Sequence, residues 1–245
     1  VSLISIACGV VALPFVAVTG LPNEAAWPYI FASLVIHLGY YTALAEAYRA
    51  GDLGQVYPIA RGSAPLMTAL GANILLGESP GTIGWLGILV LAAGILLLSI
   101  KGGRVGQRFD HRSVGFAVLT AMTITAYTLA DGIGARLAGS PLPYIAWLFV
   151  LDGVMMLAFG WWKFGSALVV ETRRSWLLLT AAGVLSTSAY AIAIWAMTKA
   201  PIALVAALRE TSVLFAALIG IVLLREPIRA SRIAAALLVV VGIVL

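Results

Sequence analysis

VYPIARGSAPL, residues 56–66, sets one arginine inside an apolar run, and VAALRETSVLF, residues 205–215, does so again with a glutamate beside it. A displacement of 148 residues lays Arg61 on Arg209 and Glu78 on Glu226. The same displacement lays Leu75-Leu76 on Leu223-Leu224 and Gly94-Ile95 on Gly242-Ile243. Each copy therefore reads as an arginine, sixteen residues, a glutamate, fifteen residues and a glycine. A charged side chain deep in an apolar segment is costly, so its recurrence needs an explanation.

Composition identifies the solvent. Of the 245 residues, 62% are hydrophobic and 10% charged, where a soluble domain carries about 25% charged residues. So much apolar surface requires a lipid bilayer around it. The net charge of +5 then marks cytoplasmic loops rather than a nucleic-acid partner. Cys8 is the single cysteine; it forms no disulfide framework and reads as a small core hydrophobe. No cluster suggests a metal or another cofactor. The chain opens on VSLISIACGV and closes on VVVGIVL, which suggests a fragment. Its first segment lacks the basic start and the cleavage site of a signal peptide.

A spanning helix needs about 20 mostly apolar residues. Nine stretches approach this: 1–19, 27–48, 55–76, 82–100, 114–135, 142–162, 176–197, 202–224 and 232–245. Trp27, Trp161, Trp162 and Trp176 stand at segment ends, where indoles favour the interface. The second, fourth, sixth and eighth connections hold Arg49, then Lys101, Arg104, Arg108 and Arg112, then Lys163, Arg173 and Arg174, then Arg225, Arg229 and Arg232. The others hold only Arg136 and Lys199. The positive-inside rule places the basic connections in the cytoplasm.

Segments two to four recur as segments seven to nine. The expected architecture is an all-α polytopic membrane protein made of two five-helix halves, a first repeat over 1–103 and a second over 113–245. Four helices of the first half are visible, so one more is expected before Val1, for ten in all. An odd number per half inverts the second half, and the charges agree: LLGESPG is poor in Lys and Arg, whereas LLREPIR is rich. Arg61 and Arg209 then lie about 10 Å deep from opposite faces. Either each snorkels to its nearer interface or ties helices together, or the pair lines a polar path.

YPIARGSAPL followed by LLGE, and ALRETSVLFAALIG followed by LLREP, resemble the ten-helix drug/metabolite transporter superfamily in its EamA-like branch. The resemblance covers essentially the whole chain less one helix. It implies a secondary transporter of the plasma membrane (the inner membrane of a bacterium), often an exporter of amino acids or other small metabolites, with a central cavity between the halves. Many relatives are thought to keep both termini in the cytoplasm; the charges here argue for the opposite orientation.

Several residues are candidates to line or gate such a cavity. Pro58, Gly62 and Pro65 are expected to interrupt the third segment. Tyr57 and Arg61 share a face, where the arginine fork could hold a carboxylate or phosphate. His37 and Tyr41 are one turn apart; His37 is a candidate proton site or a packing residue. Glu46 is placed to pair with Arg49. Arg209 and Glu210, about 100° apart on a helix, each need another partner, with Asp152 and Asp131 as candidates. Asp152 sits mid-helix; Asp131 is nearer a helix end, where an interfacial role fits, though it is also a candidate for proton coupling. Asn73 could bridge helices, and Tyr190 and Trp195 could form an aromatic wall or pack against lipid. Glu78 and Glu226 suit helix N-termini, with Pro80 and Pro227 nearby.

The expected function is a carrier exporting a small polar metabolite by alternating access, either proton-coupled or uncoupled. Flipping of a lipid or lipid-linked sugar and a non-transporting scaffold are the alternatives. An enzyme would want a nucleophile–base pair or a metal cluster at depth, and the chain has no HExxH or GxSxG.

Overall fold

The computed structural model describes residues 2–50, 53–102, 111–222 and 230–245. Its helices are α1 (Ser2–Thr19), α2 (Trp27–Ala50), α3 (Leu53–Leu76), α4 (Gly81–Gly102), α5 (His111–Leu137), α6 (Pro141–Phe164), α7 (Ala167–Arg174), α8 (Trp176–Met197), α9 (Ile202–Arg209), α10 (Ser212–Val222) and α11 (Ala230–Val244). Among the described residues there is no strand. Among the described residues, five segments are long and apolar enough to cross a membrane: Ser2–Thr19, Glu24–Arg49, His111–Leu137, Pro141–Phe164 and Trp176–Met197. The expected apolar stretches thus become helices, as they must where the solvent offers the backbone no hydrogen bonds.

Three departures from the sequence reading matter. First, α3 runs unbroken through Pro58 and Pro65. A proline removes one helical hydrogen bond, but here it does not end the helix. Second, the interruption falls instead at Glu210-Thr211, inside the expected segment 202–224, and divides it into α9 and α10. Tight bonds wind the junction: Glu210 N–H donates to Ala207 O at 3.0 Å and Thr211 N–H to Leu208 O at 3.1 Å. The Thr211 hydroxyl also donates to Leu208 O at 2.8 Å, the kind of side-chain bond that competes with helical continuation. Third, the basic connection between α6 and α8 holds a further helix, α7, that the apolar segments did not include.

The chain divides into two compact units, Val1–Val35 with Ala130–Lys199, and Ile36–Leu129 with Ala200–Leu245. In the first, α1 packs against α6 and α8. A Cβ built on Gly9 would stand 3.0 Å from the Gly153 Cα, so only glycine lets these backbones meet this closely. Ile30, Tyr144, Leu148 and Ile194 form the core of this unit.

In the second unit α3 packs on α4 and α9, and α4 on α11. A Cβ on Gly87 would meet Gly242 O at 2.7 Å, and one on Gly94 would meet Ala235 O at 3.0 Å. Numbers rise along α4 as they fall along α11, so the helices are antiparallel. The 148-residue displacement carries Gly87 to Ala235 and Gly94 to Gly242. The contact is therefore its own image, as in an interface about a two-fold axis.

Candidate transport site

Arg61 projects from the third turn of α3, and the α9–α10 junction brings it two partners. Its Nε lies 3.1 Å from Glu210 Oε2, and its Nη2 donates to Ser212 Oγ at 3.0 Å. The Arg61 side chain is 19% exposed and that of Glu210 4%. A pair so dry attracts far more strongly than a surface pair, but only while both members remain. Arg209 ends α9 beside it, and its charge acts on the same carboxylate.

This corrects the expected pairing of Glu210 with Asp131 or Asp152: its partner is Arg61. The helix break makes the difference, because Glu210 leaves the helical path and presents its carboxylate to α3. Ser212 is a site residue the sequence reading missed. Its signal was the run Glu-Thr-Ser, since hydroxyl residues favour helix starts over helix interiors.

The geometry of the fork is instructive. A guanidinium grips a carboxylate most strongly through two parallel N–H bonds. Here one N–H side faces Glu210 and another nitrogen serves a neutral hydroxyl, so the strongest carboxylate geometry is not used. The α10 N-terminus, at Ser212, adds the positive end of a helix dipole.

At the far end of α9 the Ile202 N–H donates to Glu78 Oε2 at 3.0 Å. Glu78 thus complements the N-terminus of α9. Its approach follows the end of α3, where Gly77 turns left-handed at φ 66° and donates to Asn73 O at 3.1 Å. The Asn73 side chain itself is exposed. Glu226 and the side chain of Tyr57 lie outside the described residues.

Asp131 belongs to the first unit and is fully buried, which corrects the interfacial reading. The Tyr144 phenol donates to its Oδ1 at 2.9 Å, and the Tyr190 phenol donates to Oδ2. Gly134 makes room, since a Cβ there would stand 2.8 Å from the Tyr144 Cζ. One turn of helix places Asp131 and Gly134 side by side, so the absent side chain admits the tyrosine that the carboxylate needs. Tyr190 thus has a specific polar partner, whereas Trp195 is half exposed. Asp152 is buried in α6, one residue before the crossing of Gly153 with Gly9.

His37 stacks on Tyr127 with centroids 4.3 Å apart, and Tyr41 lies 6.0 Å from it. The expected proximity of His37 and Tyr41 is present, and α5 adds Tyr127. Glu46 and Arg49 pair at 3.0 Å on an exposed surface, where such a pair contributes little.

A bundle of membrane-spanning helices, one of them broken beside a buried ion pair, has the build of a carrier rather than of a soluble domain. The model of the EamA-like transporter family matches residues 1–100 and 111–245. The chain belongs to that family, and its apolar helices make it a multi-pass membrane protein. Among curated proteins it is similar to an uncharacterized transporter from Sinorhizobium sp., in the region 3′ of cobO. The two are 34% identical over 86 residues, which cover 35% of this chain and 50% of that relative; the chain thus spans about half the length of that relative. A crystal structure, described simply as that of a protein, matches with a TM-score of 0.74 at 20% identity. The match covers 99% of this chain and 85% of the other, and speaks to the fold alone.

Proposed function

We propose that this transporter exports a small polar metabolite, such as an amino acid, across the plasma membrane by alternating access. One observation carries the reading: the Arg61–Glu210–Ser212 cluster at an interrupted helix. Broken helices at depth are where transporters present backbone dipoles and charges to substrate. Glu210 holds the place of a substrate carboxylate. An incoming carboxylate takes the two-bonded grip on Arg61 that Glu210 leaves unused, and the displaced junction between α9 and α10 changes shape.

The inverted repeat fits this mechanism. The halves 1–103 and 113–245 rock about the axis suggested by the self-imaging contact of α4 with α11. A proton, where one is coupled, is carried by His37 or by Asp131. Arg209, Tyr41, Tyr57, Asp152 and Trp195 complete the set of residues expected to line or gate the path.

The test is efflux from proteoliposomes loaded with a mixture of labelled amino acids and small carboxylic acids. Wild-type protein should release at least one of them faster than empty vesicles do. An Arg61→Ala, Arg209→Ala variant, inserted to the same level, should not. Equal release by both would remove the site while leaving transport standing. An imposed proton gradient that leaves the rate unchanged would exclude the coupled version.

A further inference from the structure

We propose that α7 and the helix ends flanking it form a binding surface for anionic phospholipid headgroups. The first observation is placement. Two residues, Gly165 and Ser166, separate α6 from α7, and Ser175 alone separates α7 from α8. At up to about 3.6 Å per residue, such links keep α7 within one headgroup layer of both helix ends. Trp162 at the end of α6 is 81% exposed, and Trp176 at the start of α8 is also exposed. Indoles on the outside of membrane helices sit at headgroup level.

The second observation is the division of faces. Leu168 is buried, and a Cβ on Gly160 of α6 would stand 3.3 Å from its Cδ1, so this side pins α7 to α6. At about 100° per residue, Val169, Val170, Arg173 and Arg174 share one arc opposite Leu168, and all four are exposed. The valines occupy the first turn and the arginines the last. Among the described residues no carboxylate lies within ion-pair distance of either arginine. Glu171 points off this arc and accepts a hydrogen bond from the Ser175 hydroxyl at 3.2 Å. Lys163, in the last turn of α6, adds a third cation next to the start of α7, its ammonium 5.6 Å from the Phe159 and Phe164 rings.

A short helix held at headgroup depth, with an apolar first turn and two guanidiniums on its outer arc, matches a lipid in two ways. The valines meet the upper acyl chains and the arginines take the phosphate in a fork. A negatively charged headgroup is favoured over a zwitterionic one, by about fivefold for each arginine at low salt. This surface is independent of the transported solute.

The full chain, purified in mild detergent with equal amounts of phosphatidylglycerol and phosphatidylcholine, tests this by native mass spectrometry of the retained lipid. Phosphatidylglycerol should be enriched on the wild type. Arg173→Gln with Arg174→Gln should cut that enrichment by at least fivefold, and Arg173→Lys with Arg174→Lys should preserve most of it. Raising the salt should erode the wild-type preference. Unchanged enrichment on the glutamine variant would overturn the assignment. So would a variant that retains phosphatidylglycerol but releases a co-purifying soluble protein, since the surface would then serve that protein.

Discussion

Two buried carboxylates in this molecule are held in opposite ways. Glu210 sits at a break between helices and faces a guanidinium on another element. Asp131 sits within an unbroken helix and accepts from two phenols. The first arrangement stores charge against charge where the backbone can bend. The second satisfies both oxygens with neutral donors anchored in α6 and α8, two helices that also pack on α1. A group that must let go during a transport cycle suits the former, and one that must keep three helices in register suits the latter.

The largest expected effect separates these roles. Glu210→Ala leaves the Arg61 charge without its carboxylate. Breaking a fully buried pair costs about 3–5 kcal/mol, and the partial exposure of Arg61 lowers this to about 2–3 kcal/mol. Transport should fall below detection, and the denaturation midpoint of purified protein should drop. Arg61→Met combined with Glu210→Leu should recover the midpoint but not transport, because apolar replacement of such a pair is close to neutral for folding. Recovered transport in that double variant would make the pair a mere strut, and the contrast with Asp131 would collapse.

Asp131→Ala should come next. It orphans the buried Tyr144 phenol, at about 1–3 kcal/mol, and the partly buried Tyr190 phenol at less. Stability and membrane abundance should fall, while the KM of correctly folded protein stays near that of wild type. A large rise in KM with unchanged abundance would move Asp131 from scaffold to transport path. Loss of the response to a proton gradient, with rate and KM otherwise kept, would instead make it the coupling group.

How much of this was legible in the sequence follows from range. The spanning helices come from local hydropathy, and the kinship of Arg61 with Arg209 from a displacement that keeps charge and glycine in step. What was hidden depends on partners far along the chain. Asp131 lies 13 residues from Tyr144 and 59 from Tyr190, so its burial has no local mark. The interruption at Glu210 carries no proline or glycine, whereas Pro58 and Pro65 stand in a helix that continues. A proline's local penalty is a weak guide when packing against α4 and α9 holds α3 together. Helix α7 is too short, and too charged at its end, to register as an apolar segment.

Helix crossings give a smaller test that also compares the units. Gly242→Ala places a methyl group 2.6 Å from Gly87 O, and Gly153→Ala places one 2.9 Å from Gly9 Cα. Each forces backbone apart at about 1–3 kcal/mol. Gly242→Ala should slow transport beyond its effect on stability, because the α4–α11 contact lies where the proposed halves pivot. Gly153→Ala should lower stability with a proportionate loss of activity. Matching losses per unit of stability in both variants would remove the pivot.

The smallest expected effect concerns the far end of α9. This helix has eight residues, a rod of about 12 Å. One end is tied by Glu78 to the Ile202 N–H, and the other ends at Arg209 beside the ion pair. Glu78→Gln keeps an acceptor at the same place but removes the negative charge that favours the helix N-terminus. The change is worth about 0.3–1 kcal/mol, too little to unfold the protein or to alter the grip on Arg61. If α9 moves as a rigid piece when Glu210 lets go, a weaker tether should alter the maximal rate of transport while KM stays put. If α9 is a static part of the bundle, neither should move. Rate measurements on this one variant therefore decide whether the ion pair acts alone or through the helix that carries it.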